Sequence, residues 1–529
     1  MSAPKLHIPL LRFGKVYESL DAVPVKDHRT GIPLAMLSQA NAGLARRDGL
    51  AALSARQAVR RTSHAEMLAV CRRAGELFLD GNLVAGSGRA RMDAAEYVRV
   101  LSLTSGLTHR MCRENMHKLH RVLTGMGEVV AGLTRGLPLE GLDDGPVEQD
   151  GRLVSYHPVA AALAVVLPSN SPGVNSLWLP ALGLRMPVLL KPGSAEPWTP
   201  WRLLAALREA GCPDEALGHY PGGHEVGQAL IDISERAVVF GDASTVARWR
   251  HRTGVSVHGP GFSKVLIGRD RVDQIGRLLD LLIESVLSNG GRSCVNASTI
   301  VVPSRGGELA ELLAERLAAF EPLPLDDPEA RLAAFADRKS AEAIDTAINA
   351  ALAVRGAVDV TARHRSGPRR VMVERSTFLC PTVIHCTDPE HPLARREYPF
   401  PCVSVVEVPE EEMPEWLGPT LALTAVTGDE GLRRRLIAAG NVDRLNLGEV
   451  ATSAIAWDQP HEGNLFEQLF RRRAVQVGEI ATGKKKQATG KRRPPAGIGK
   501  VAAGRGKRVG AAKTRGAGDK RGPREGSGA

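Results

Sequence analysis

Residues 288–298 read SNGGRSCVNAS. A cysteine, Cys294, follows a turn built from Asn289, Gly290 and Gly291 and precedes a short apolar strand over residues 298–303. Small residues there let other molecules approach the backbone closely. The ionised thiol is a nucleophile. When it attacks an aldehyde, the carbonyl oxygen takes on negative charge, and that charge needs donors already in place. The backbone N–H of Cys294 is one candidate. The side-chain amide of Asn170, in LPSNSP at 167–172, is another. Hydride loss to a nicotinamide would then leave a thioester on Cys294.

Working outward, three further texts accompany the nucleophile in a fixed order. Asn170 is followed by LLKPGSAEPWTP at 189–200, with Lys191 and Ser194. VVFGDAST at 238–245 carries Gly241, where a strand turns into a helix. FLCPTV at 378–383 leads to REYPFP at 396–401, with Glu397.

The surroundings read as α/β. Residues 34–135 are mostly helical, with three- and four-residue apolar spacing at 51–68 and 94–122. Short apolar runs at 159–167, 187–190, 237–240 and 265–267 alternate with helical text at 198–210 and 245–251, as in a parallel sheet covered on both faces. A second α/β stretch has helices at 273–287, 307–320 and 340–355, with strands at 298–303, 370–373 and 403–408. A last strand is expected at 474–480.

These texts resemble the aldehyde dehydrogenase superfamily over residues 34–480. Pro168–Ser169–Asn170 matches its proline–x–asparagine text, Lys191–Pro192 its lysine–proline text, and Asn289-x-Gly291-Arg292-x-Cys294 its nucleophile text. Phe378 to Val383 matches F-x-x-P-T-V. The resemblance implies Cys294 as nucleophile and Asn170 as oxyanion donor. It also implies Lys191 and Glu397 as holders of the two riboses of NAD or NADP, and Gly241 as the point of close cofactor approach. It further implies an aldehyde or acyl thioester as substrate and a homodimer or homotetramer.

The implied architecture is α/β with two Rossmann-like parallel-sheet domains. A nucleotide-binding domain covers 1–145 and 158–265, and a catalytic domain covers 266–445. An oligomerisation element with the closing segment covers 146–157 and 446–480. A disordered tail covers 481–529.

The chain also departs from the family pattern. VHGPGFSK at 257–264 places His258 at or near the position of the family's general-base glutamate. Ser194 stands where members preferring NAD often have glutamate, so the 2′-phosphate of NADP meets no acid there. Ser169 replaces the usual tryptophan, Arg292 the usual glutamine, and Val246 a loop glycine. Without the glutamate, two exits for the thioester stay open. One is hydrolysis with His258 as base. The other is transfer to coenzyme A, as in the acylating branch, whose G-P-G text resembles Gly259–Pro260–Gly261. A catalytically silent member that works through its tail is a third reading.

The net charge of +11 is localised: residues 484–529 hold 15 Lys or Arg against 2 acids, so the tail carries +13 and the rest −2. A tail of this kind, lacking large apolar and aromatic residues, is expected to be disordered. It suits nonspecific polyanion binding by counterion release rather than base stacking. GIGKVA at 497–502 loosely matches part of a dinucleotide fingerprint, but no strand precedes it and it reads as chance. Seven irregularly spaced cysteines without a C-x-x-C pair argue against a disulfide framework or a zinc site and fit the cytoplasm. The longest apolar run, nine residues at 159–167, is too short to cross a membrane.

Overall fold

The apolar runs beyond residue 160 become strands because each is short, rich in Val, Leu and Ala, and flanked by glycine or proline. In the computed structural model, which describes residues 6–142, 145–149 and 151–478, they build two sheets. The chain divides into one unit over Met1–Gln476 and another over Val477–Ala529; every strand and helix described lies in the first.

The first sheet runs in the order Val255–His258, Arg236–Phe240, Leu163–Val166, Val188–Lys191 and Leu217–His219, all parallel. Leu10–Arg12 and Lys15–Tyr17 extend it antiparallel. The register sets Val166 beside Lys191 and Val239, and Phe240 beside His258, so these strands end together along one edge. The second sheet has six parallel strands, in the order Thr382–Cys386, Cys402–Glu407, Thr299–Val302, Lys264–Ile267, Thr420–Val426 and Val442–Leu447. Ala357–Asp359 pairs antiparallel at its edge.

The helices differ from expectation where local chemistry interrupts the apolar period. The periodic stretch at 51–68 is two helices, Ala52–Val59 and His64–Asp80, because Ser63 and Glu66 form a capping box that starts a new one. The stretch at 94–122 breaks at Gly106, which adopts φ 75° as the C-cap of Ala94–Ser105; Thr108 then caps His109–Thr124. Residues 33–38, partly inside the region read as helical, form a strand. Residues 272–278 form a 3-10 turn before the helix Leu279–Leu287.

The last strand is also displaced. Strand Phe470–Ala474 replaces the one expected at 474–480, whose final residues lie outside the described ones. Phe466 and Leu469 are buried, and the Phe466 ring stacks on Phe470 at 5.0 Å, which sets the strand early. It pairs antiparallel with Arg152–Pro158, itself joined to Val147–Gln149. This three-stranded arm brings together the two segments expected to form the oligomerisation element. The basic tail, with its GIGKVA text, lies outside the described residues.

Candidate active site

Cys294 sits in a turn that its neighbours hold shut. Asn289, Gly290 and Gly291 all have positive φ, at 50°, 64° and 70°. At Gly291 the reason is close approach, since a Cβ would lie 2.4 Å from the backbone of Phe400 and Pro401. The REYPFP loop therefore packs directly on the nucleophile's turn. On the other side of that turn, the Ser293 N–H donates to Asn296 Oδ1 at 2.8 Å.

Gly261 closes the site from the second sheet: a Cβ there would strike the Cys294 carbonyl and come within 3.1 Å of its Cβ. Ser263 Oγ donates to that carbonyl at 2.7 Å. The same loop holds Glu397, whose Oε2 accepts the Phe262 N–H at 2.5 Å. Burial pushes the Glu397 carboxyl up to about 7, against the opposing pull of that N–H and of Lys264. Lys264 is itself buried; its Nζ donates to Phe262 O at 2.6 Å and Thr420 Oγ1 at 2.9 Å, and desolvation lowers it to about 7.

The thiol is recessed but retains some exposure, as does Cys380; the other five cysteines are buried and all seven are free. Desolvation pushes the Cys294 thiol up to about 12, and the carboxylates of Glu397 and Glu462 push the same way. Lys118 and the Cys294 N–H favour the thiolate.

Asn170, Lys191, Gly241 and His258 converge at the C-terminal edge of the first sheet, the crevice where open parallel sheets bind ligands. Asn170 is exposed just past its strand. Its neighbour Ser171 accepts from Asn289 Nδ2 at 3.4 Å, which ties that loop to the nucleophile's turn. Lys191 makes one long bond, 3.4 Å, to Pro192 O, and desolvation lowers its pKa. Its ammonium thus keeps donors in hand. Ser194 is exposed in the next loop. Gly241 lies under Thr245, which a Cβ would meet at 2.4 Å.

His258 has a partner that the sequence did not reveal. Its Nδ1 lies 2.6 Å from Glu462 Oε2, its Nε2 3.2 Å from Ser256 Oγ, and its ring 4.8 Å from that of Phe240. Arg292 is structural: Nη1 donates to Ser105 O, Nη2 to Ala334 O, and the guanidinium stacks on Phe335.

Residues 17–415 match the model of the aldehyde dehydrogenase family. The chain belongs to the aldehyde dehydrogenase family. It is 25% identical over 323 residues to an N-succinylglutamate 5-semialdehyde dehydrogenase of Salmonella agona, covering 59% of this chain and 60% of that one. The aligned stretches span from 21% to 60% of the length of the curated relatives it matches. Two solved structures share the fold. One is an indole-3-acetaldehyde dehydrogenase of P. syringae in complex with NAD+ and IAA: TM-score 0.73, 19% identity, 89% of this chain and 96% of that one. The other is the aldehyde dehydrogenase KauB of Pseudomonas aeruginosa: TM-score 0.73, 20% identity, with the same coverage.

Within this aldehyde dehydrogenase fold, four residues at the site escaped sequence reading: Lys118, Arg444, His461 and Glu462. Lys118 lies one helical turn beyond Asn115, whose Nδ2 donates to Asn289 Oδ1 at 2.8 Å, so that face of the helix looks onto the nucleophile's turn. His461 is held deprotonated, down to about 3, by burial and by Arg444. No group of His, Cys, Asp and Glu among the described residues could hold a metal ion, and no described helix is long and apolar enough to cross a membrane.

Proposed function

We propose that this protein oxidises an aldehyde with NAD or NADP through a Cys294 thioester. The observation that carries the reading is the packing of Gly261 and the REYPFP loop on Cys294, which sets a recessed thiol beside Glu397 and next to the crevice of the first sheet.

The cofactor fits the crevice. Lys191 offers spare donors to the adenosine ribose, and exposed Ser194 puts no charge against a 2′-phosphate. The bound nicotinamide supplies the hydride acceptor. The thiol must lose its proton before it attacks, and Lys118 and the Cys294 N–H favour the thiolate against desolvation and the nearby carboxylates. Glu397 is left for the nicotinamide ribose. Sγ then attacks the aldehyde carbon, and the Cys294 N–H and the Asn170 amide receive the oxyanion. His258, with Glu462 behind Nδ1, is the base that activates water against the thioester, in place of the family's glutamate.

Transfer to coenzyme A is the competing exit. An aldehyde panel with NAD or NADP, run with and without coenzyme A, tests both by absorbance of the reduced cofactor and by product analysis. Free carboxylate without coenzyme A supports this reading; acyl-CoA as the main product replaces it. Silence with every aldehyde would leave the reading of a binding protein.

The three-stranded arm supports pairing of copies into a homodimer or homotetramer, and seven free thiols suit the cytoplasm. The +13 tail is the polyanion-binding element. Truncation at Thr482 should preserve specific activity and abolish salt-sensitive retention on heparin; retention that survives would place the basic face elsewhere.

A further inference from the structure

Along the strand Val255–His258 the side chains alternate between two faces. Val255 and Val257 pack against the core that holds Val239 and Trp249, so Ser256 and His258 share the opposite face. There Ser256 Oγ lies 3.2 Å from His258 Nε2, and Glu462 Oε2 lies 2.6 Å from His258 Nδ1. Glu462 comes from far along the chain, in the segment between the strand Val442–Leu447 and the helix Leu465–Leu469. With a carboxylate at Nδ1, that nitrogen carries the imidazole's proton, and Nε2 is left to accept from the serine hydroxyl. A hydroxyl, an imidazole and a carboxylate in this order are the parts of a serine nucleophile, its general base and the group that orients the base. Such a set is recognised by its geometry and not by its fold.

All three residues line one cavity of about 440 Å3, which Cys294 does not line. Val129, Leu133, Leu177, Pro180 and Trp457 give it an apolar wall, and exposed Ala456 and Gln459 lie on its solvent side. Arg444 lines it too, and its one hydrogen bond among the described residues runs from Nη1 to Pro460 O at 3.0 Å. Its other N–H groups remain for the carbonyl oxygen of a bound acyl group. His461, in the same cavity, and Asp443, beside Arg444, also interact with the imidazole, but among the described residues neither bonds to it.

We propose that Ser256, His258 and Glu462 form a second catalytic site, which hydrolyses esters of short apolar acyl chains without a cofactor. Ser256 Oγ bonds to the ester carbonyl carbon as its proton passes to His258 Nε2. The bond from that carbon to the alcohol oxygen breaks, and the alcohol leaves with the proton. Water then adds to the Ser256 ester while giving a proton to Nε2. That proton returns to Oγ as the carboxylic acid departs. Nothing is oxidised or reduced, so the site needs neither Cys294 nor the nicotinamide. It shares only the imidazole with the aldehyde reading.

The test follows release of nitrophenolate from p-nitrophenyl acetate, butanoate and hexanoate with no cofactor present. A thiol can attack such esters as well, so Cys294→Ala is the reference, and Ser256→Ala and His258→Gln are made in that background. Cys294→Ala should hydrolyse the butanoate several-fold faster than the acetate. Ser256→Ala and His258→Gln should each lower that rate by about 10²-fold or more. A fluorophosphonate probe should modify Ser256 of the wild type, located by peptide mass, and should do so far more slowly in Glu462→Gln. Ester hydrolysis that disappears in Cys294→Ala, or that persists undiminished when Ser256→Ala is added, overturns the site. Where the wild type hydrolyses none of the three esters, the probe decides: a phosphonylated Ser256 upholds the site, and an unmodified Ser256 overturns it. Aldehyde oxidation enters neither measurement, so failure here is distinct from failure of the aldehyde reading.

Discussion

Glu462 Oε2 stands 2.6 Å from His258 Nδ1, while the other ring nitrogen meets Ser256 Oγ at 3.2 Å. This contact is what puts His258 forward as the proposed base in place of a glutamate.

If His258 activates water against the thioester, His258→Gln should slow release of free acid by about 10²-fold or more. Glu462→Gln should slow it less, in the same direction. Hydride transfer should survive in both, so rapid mixing should reveal a burst of reduced cofactor equal to the enzyme present. Coenzyme A should restore turnover in His258→Gln, because a thiol needs less help than water. Release of free acid by both variants at the wild-type rate would remove the pair from the mechanism.

The sequence made the crevice legible and the pair illegible, for physical reasons. Strands such as Leu163–Val166 and Val188–Lys191 are buried on both faces and read as unbroken apolar runs, so the parallel sheet and its C-terminal edge could be placed. Cys294, Lys191 and Gly241 follow from texts that are local. Glu462 reaches His258 only through the long return of the chain past the second sheet, and no spacing encodes that. Lys118 looks like any helix lysine until Asn115 fixes which face meets Asn289. The strand Phe470–Ala474 was hidden by its composition: three consecutive arginines on an edge strand read as surface.

The cofactor site should accept the 2′-phosphate. Exposed Ser194 brings no negative charge to the place where an acid would repel it. NADP should bind within about tenfold of NAD, a gap of roughly 1.4 kcal/mol, by fluorescence titration. A preference for NAD of about a hundredfold, roughly 2.7 kcal/mol, would contradict this.

Stability should fall with alkalinity because of Glu196. This carboxyl is buried; it accepts from the Thr199 N–H at 2.8 Å and hydroxyl at 2.7 Å, and desolvation pushes it up to about 8. The folded state therefore holds a proton that the unfolded chain releases near the ordinary value of 4.5. The contribution is fully present below that value and is lost as pH rises through about 8, on the order of a few kcal/mol in total. Glu196→Gln keeps an acceptor without the charge, so its Tm should gain on the wild type between pH 5 and pH 9. Parallel Tm profiles across that range would mean that Glu196 is not the group responsible.

The thioester on Cys294 is tested most directly by mixing an aldehyde that the panel shows to be turned over, NAD or NADP, and either the wild type or Cys294→Ala, and following reduced cofactor by absorbance alongside the intact mass of the protein. The wild type should produce reduced cofactor and, when quenched early, carry an added acyl mass. Cys294→Ala should bind the cofactor as tightly as the wild type but form neither product nor adduct. Substantial turnover by Cys294→Ala, or an acyl adduct on any other residue of the wild type, would contradict the account.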